Sequence, residues 1–154
     1  MSSPYESADL LLKLYELRRE PAMREARAWF AAEFNPTTFE DVQQALRGPK
    51  SPQFRMVTSY WDMAASFVNH GAIDADMFND ANGEHVFVFA KLQPYLEQVR
   101  AATNPSYMRH LEQAVMAMPG AEARVAHARE MSKRFAKARA AASAEQTEAD
   151  AANA

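Results

Sequence analysis

The sequence contains no cysteine. Disulfide frameworks, thiolate zinc sites and cysteine nucleophiles are thereby excluded, and the composition suits a reducing compartment, the cytoplasm. Glycine is almost as scarce: Gly48, Gly71, Gly83 and Gly120 are the only four, each isolated. Isolated glycines cannot make a phosphate-cradling loop, and no Gly-x-Ser-x-Gly elbow occurs, so the common enzyme signatures are absent. The four histidines, His70, His85, His110 and His127, form neither a His-x-x-x-His nor a Glu-x-x-His pair. A di-iron bundle needs the second pattern on two helices, so that class drops out, and the sequence asks for no metal and no cofactor.

Long apolar runs are missing as well. Charged residues interrupt every hydrophobic stretch before the ~20 residues a spanning helix needs. The stretch around Met63 to Val68 comes nearest, and the reading is a chain that does not cross a membrane. The first nine residues are polar and lack a basic region followed by an apolar run, so no signal peptide is expected.

What is present is the balance of a globular protein, 48% hydrophobic and 24% charged over 154 residues. That length fits one domain burying roughly 70% of its unfolded surface. The net charge of −3 is unevenly spread: residues 1–120 carry 11 basic and 15 acidic side chains, 121–139 carry 6 and 2, and 140–154 carry none and 3. A near-neutral core domain (1–120) is thus followed by a peripheral basic amphipathic helix (121–139) and an acidic, alanine-rich tail (140–154). The tail has no large apolar residue to offset the entropy of ordering it, and is expected to be disordered.

Helical spacing dominates the core. Leu10, Leu11, Leu14 and Leu17 follow the capping residues Ser7 and Asp9, and Pro21 breaks or kinks the chain before Met23, Ala26, Phe30 and Phe34 form a second stripe. Thr37 and Glu40 have capping-box spacing ahead of Phe39, Val42, Ala45 and Leu46. Ser51-Pro52 reads as a cap with proline at the first position of the most apolar helix, lined by Phe54, Val57, Trp61, Ala64, Ala65 and Val68 and widened by Tyr60, Met63 and Phe67 up to Gly71. Asp74 caps a short turn. The run Val86 to Phe89 has strand composition but no turn signal and no partner strand, so residues 84–102 read as a helix kinked at Pro94. Asn104-Pro105 opens another helix, and Val125, Ala128, Met131 and Phe135 make a thin stripe on the last. The expected fold is all-α, an irregular bundle of six to eight helices centred on Ser51 to His70, with a disordered C-terminal tail.

Three stretches bear a resemblance: Arg55 to Asp62 (RMVTSYWD), Val68 to Asp74 (VNHGAID) and Lys91 to Leu96 (KLQPYL). Together they resemble an uncharacterised bacterial family of small helical proteins, a domain of unknown function, over about Arg55 to Leu111. The shared features are a helix with aromatics beside an acid, a Gly-x-x-Asp turn and a proline-bearing helix. Some relatives carry a membrane helix ahead of the domain, from which this chain departs. The resemblance implies a fold and no chemistry.

Each candidate site residue also has an ordinary structural use. Asp62, between Trp61 and Met63, could be a half-buried general base in a pocket with Arg55, Tyr60, Asn69 and His70, or simply an ion-pair or hydrogen-bond partner, the favoured use. Asn69 and His70 suit a helix end equally well. Arg18, Arg19, Arg24 and Arg27 alternate with Glu16, Glu20 and Glu25 at pairing distances and read as a salt-bridged surface. The basic residues Arg124, Arg129, Lys133, Arg134, Lys137 and Arg139 could face nucleic acid, but only Phe135 offers a stacking ring, which argues against it. Tyr5, Tyr15, Trp29 and the nine methionines fit a core or an oligomer interface. The leading functional expectation is a cytoplasmic interaction or scaffolding module that binds a protein partner or itself. A small-ligand binder or enzyme around Asp62 and His70 is the alternative, and nucleic-acid binding through the basic helix is the third.

Overall fold

Prolines and caps cut the chain into helices, at or within a few residues of most positions where the pattern predicts a boundary. A computed structural model describes Met1 to Asn153. Among the described residues it is all-α, with no strand: α1 (Pro4–Arg19), α2 (Pro21–Ala32), α3 (Phe39–Arg47), α4 (Ser51–Asn69), α5 (Ala75–Ala81), α6 (Glu84–Leu92), α7 (Leu96–Ala102), α8 (Arg109–Met116) and α9 (Ala121–Ala152). A 3-10 turn, Gln93–Tyr95, joins α6 to α7 at Pro94, so the two form one bent rod and the helical segments number eight. The β-branched run Val86 to Phe89 is helical, because all but the half-buried Phe87 are buried in a helix-on-helix contact that overrides local strand propensity.

Four boundaries differ from expectation, each for a local reason. Helix α1 starts ahead of Ser7, capped by Ser3 and Glu6 in a reciprocal capping box with Pro4 at the first position. Ser7 lies inside the helix and fully buried, its Oγ accepting the Asp74 amide at 3.1 Å. The second capping box slips by one residue, pairing Thr38 with Asp41, whose carboxylate also accepts the Thr37 amide at 2.8 Å. Ser51 is the first residue of α4 rather than its cap, and its hydroxyl donates to the Leu46 carbonyl at 2.7 Å. Asn104-Pro105 forms a turn, not a helix start. Met108 takes a left-handed conformation (φ 56°) with its side chain buried, and α8 begins only at Arg109.

The centre is α4, as its composition predicts. Phe54, Val57, Trp61, Ala64 and Ala65 are fully buried, and α4 packs most extensively on α8 and α2, more than on α6. Phe30, Phe34 and Phe54 form one aromatic cluster with centroids 4.9–6.1 Å apart. Trp61 stands between Tyr60, Phe78 and His85. Burying rings of this size supplies the main stabilisation, truncation of one costing about 3–5 kcal/mol. Not every expected core residue is inside: Leu17, Met63, Phe135, Tyr15 and Tyr5 are exposed, and exposure removes the core reading for the two tyrosines.

The largest correction concerns the C-terminus. The basic helix does not give way to a disordered tail after Arg139 but continues to Ala152, although every residue from Lys137 to Asn153 is exposed. Alanine has the highest helix propensity, so this stretch is ordered by backbone preference rather than burial. Ala154, the last residue of the expected tail, lies outside the described residues. No helix among the described residues is long and apolar enough to cross a membrane.

Candidate functional site

The five pocket candidates do not converge on a cleft. Asp62, half-buried on α4, accepts the Leu111 backbone amide on Oδ1 at 2.9 Å. Leu111 is the third residue of α8, whose own cap position, Met108, offers no side-chain acceptor, so Asp62 supplies the missing N-cap from a neighbouring helix. Two turns further along, Asn69 donates to the His110 carbonyl at 3.0 Å. His70 turns its Nδ1 back to the Ser66 carbonyl at 2.7 Å and stacks loosely on His110, ring centroids 5.6 Å apart. Tyr60 points the other way, donating its hydroxyl to the Leu14 carbonyl at 2.7 Å, and burial pushes its pKa up to about 12. Arg55 is exposed and folds back on Ser51. Asp62, Asn69, His70 and His110 thus share the α4–α8 seam, while Tyr60 and Arg55 belong to two other faces.

The first-region arginines are also rearranged. No ion pair among the described residues uses Glu16, Glu20 or Glu25. Arg27 instead grips Glu84 of α6 through Nε and Nη2, the shortest contact being 2.6 Å, and Trp61 donates its indole N–H to the same carboxylate at 3.2 Å. The hydrogen-bonded Glu84 raises the Arg27 pKa, and Arg18 lies over the Trp61 ring at 5.5 Å. His85, next in sequence, is fully buried. Its Nε2–H donates to Asn79 Oδ1 at 3.2 Å, while Nδ1 has no partner among the described residues. Burial drives its pKa down to about 4, so the ring is neutral at pH 7.

In the sequence Lys91 stands out only as the first residue of the KLQPYL stretch. It is a buried cation, only 8% exposed and without a carboxylate partner among the described residues. Its Nζ donates to the carbonyls of Phe30 (2.8 Å), Ala31 (3.2 Å) and Phe34 (2.7 Å) and to Asn35 Oδ1 (3.2 Å), and so it caps the C-terminal end of α2. Burial lowers its pKa to about 8, with Arg139 adding to the effect. The signal was a lone ionisable residue in VFVFAKL, where a charge has to find acceptors if the helix is buried. Arg129 does the same for α6, donating to the Ala90 carbonyl at 3.2 Å and to Gln93 at 2.7 Å. Of the other basic-helix candidates, Arg124 bonds the Pro119 carbonyl, Lys133 meets Glu130 at 3.3 Å, and Arg134, Lys137 and Arg139 are exposed.

Fold and site together define a helical domain built on a buried aromatic helix and extended by a long, half-projecting terminal helix. Residues 5–118 match the family described as a domain of unknown function, DUF4760, and the chain belongs to that family. The match reaches well before Arg55, where the resemblance began, and ends short of α9. No curated protein and no solved structure matches the chain.

Proposed function

We propose that the chain is a cytoplasmic interaction module that self-associates through the projecting half of α9. One observation carries this reading: α9 is 32 residues long, and from Lys137 to Asn153 every residue is exposed. At 1.5 Å per residue that half is roughly 24 Å long. A helix exposed on every side is marginal in water and gains stability from a packing partner.

Charge selects the partner. Arg134, Lys137 and Arg139 precede Glu145, Glu148 and Asp150 on the same helix. A parallel copy would set like charges side by side. An antiparallel copy with its dyad near Ala142 brings Arg134 level with Asp150 and Arg139 level with Glu145, and places Lys137 beside Glu148. Alanines at 138, 142 and 149 allow the axes to approach closely. Residues 1–120 act as the core domain in this scheme, 121–136 as the anchor, and the rest, together with Arg134, as the pairing arm.

Sedimentation velocity at rising protein concentration tests the reading. The full chain forms a dimer that weakens with salt, and a chain ending at Ala136 stays monomeric with an unchanged melting temperature. A full-length chain that remains monomeric at high concentration overturns it.

A further inference from the structure

Two cavities lie side by side along the anchored half of α9. One, about 520 Å³, is walled by the Asn35–Thr37 turn, by Lys91, Pro94 and Tyr95, and by Arg129 and Lys133. The other, about 380 Å³, lies between α2, α6 and α9 and is walled chiefly by Phe30, Phe87, Val88 and Phe135. Lys91 and Ser132 line both, so the two are halves of one groove, each within the size range of small-molecule sites.

The groove is polarised. Its first half holds three cations and no carboxylate. Lys91 and Arg129 are neutralised only by helix carbonyls and amide oxygens, and Lys133 only by a solvent-exposed pair with Glu130, an arrangement worth about 0–1 kcal/mol and easily exchanged. The second half is apolar, and the one acid on its wall, Glu84, is already held by Arg27. Phe135, 55% exposed, forms its lip. An inorganic anion would leave the apolar half empty, and a neutral hydrocarbon would leave the cations unanswered.

We propose that this groove binds a free single-chain amphiphile with an anionic head, a long-chain carboxylate of the fatty-acid type. The head lies against Arg129 and Lys133 beside Lys91, and the chain runs past Ser132 over Phe87, Val88 and Phe135. The site lies within the body and does not depend on pairing through the projecting arm.

The test is calorimetric titration of the full chain with dodecanoate below its micellar concentration, beside dodecyltrimethylammonium and vesicles of anionic phospholipid. The expected result is saturable binding of one dodecanoate per chain, with the cationic amphiphile at least about tenfold weaker and no retention on vesicles. Lys133→Glu weakens dodecanoate binding about tenfold, and Ser132→Trp, which fills the junction of the halves, abolishes it. Phe135→Glu alters an exposed lip residue, leaves the melting temperature unchanged and weakens the chain contact, so the site stays testable if the tryptophan variant unfolds. Absence of saturable binding, equal binding of the cationic amphiphile, vesicle capture in place of the free carboxylate, or indifference to both Lys133→Glu and Phe135→Glu overturns the proposal.

Discussion

The carboxylate of Asp62 caps a helix to which it does not belong, accepting the Leu111 amide at 2.9 Å across the α4–α8 seam. This bond lets α8 start at Arg109 behind a left-handed Met108, and it gives the acid on the most apolar helix its structural use. Losing a cap acceptor costs about 1–2 kcal/mol, so Asp62→Ala lowers the stability by that amount in urea denaturation, whereas Asp62→Asn, which keeps an acceptor oxygen, changes it by about 0.5 kcal/mol or less. Equal losses in the two variants would show that the negative charge matters beyond the cap.

Acid sensitivity follows from His85. Its folded pKa of about 4 lies below the ordinary 6.5, so between these values the unfolded chain binds more protons than the native one. Stability from this group is fully present above pH 6.5 and is lost as the pH falls toward 4, by about 3 kcal/mol in total. Denaturation midpoints measured from pH 7 to 4.5 therefore fall more steeply for the natural chain than for His85→Phe. Glu84, the nearest acid, is held by Arg27 and only partly offsets the effect.

Lys91 supports the end of α2 through three carbonyls and one side-chain oxygen. Replacing it with methionine keeps the volume but strands those buried acceptors, at a cost of about 1–3 kcal/mol. Hydrogen exchange locates the loss: the last turn of α2 loses protection first. A variant as stable as the natural chain would mean that relief from burying the charge cancels the lost bonds.

Gly120 adopts φ +66° at the hinge between α8 and α9, with open space where a Cβ would stand. The cost of Gly120→Ala is therefore backbone strain alone, about 1–2 kcal/mol, readable as a lower melting temperature with no change in oligomeric state.

Most of the fold was legible because the chain punctuates itself. Pro21, Gly71, Asp74 and Pro94 act locally, and each marks a boundary where the spacing places it. The apolar stripe from Phe54 to Ala65 identified the central helix for the same reason. Asn104-Pro105 misled because the true start of α8 is fixed by Asp62, 49 residues away, and by burial of Met108, which no local pattern encodes. The C-terminal stretch misled because burial was the criterion, where alanine propensity alone extends the helix. At the candidate site, the five residues read as one pocket, Arg55, Tyr60, Asp62, Asn69 and His70, divide between the α4–α8 seam and two other faces, which local spacing on a single helix does not encode, and Lys91 was passed over: a lysine in an apolar run reveals its role only once Phe30 and Phe34 place their carbonyls around it.

Charge exchange on α9 tests the central claim most directly. One variant carries Arg134→Glu, Lys137→Glu and Arg139→Glu, so its arm is acidic throughout; the other carries Glu145→Lys, Glu148→Lys and Asp150→Lys, so its arm is basic throughout. Native mass spectrometry of each alone and of the mixture reads the outcome. Antiparallel pairing predicts two monomers that combine into a one-to-one heterodimer on mixing. Homodimers of either variant alone, or a mixture that stays monomeric, would contradict it.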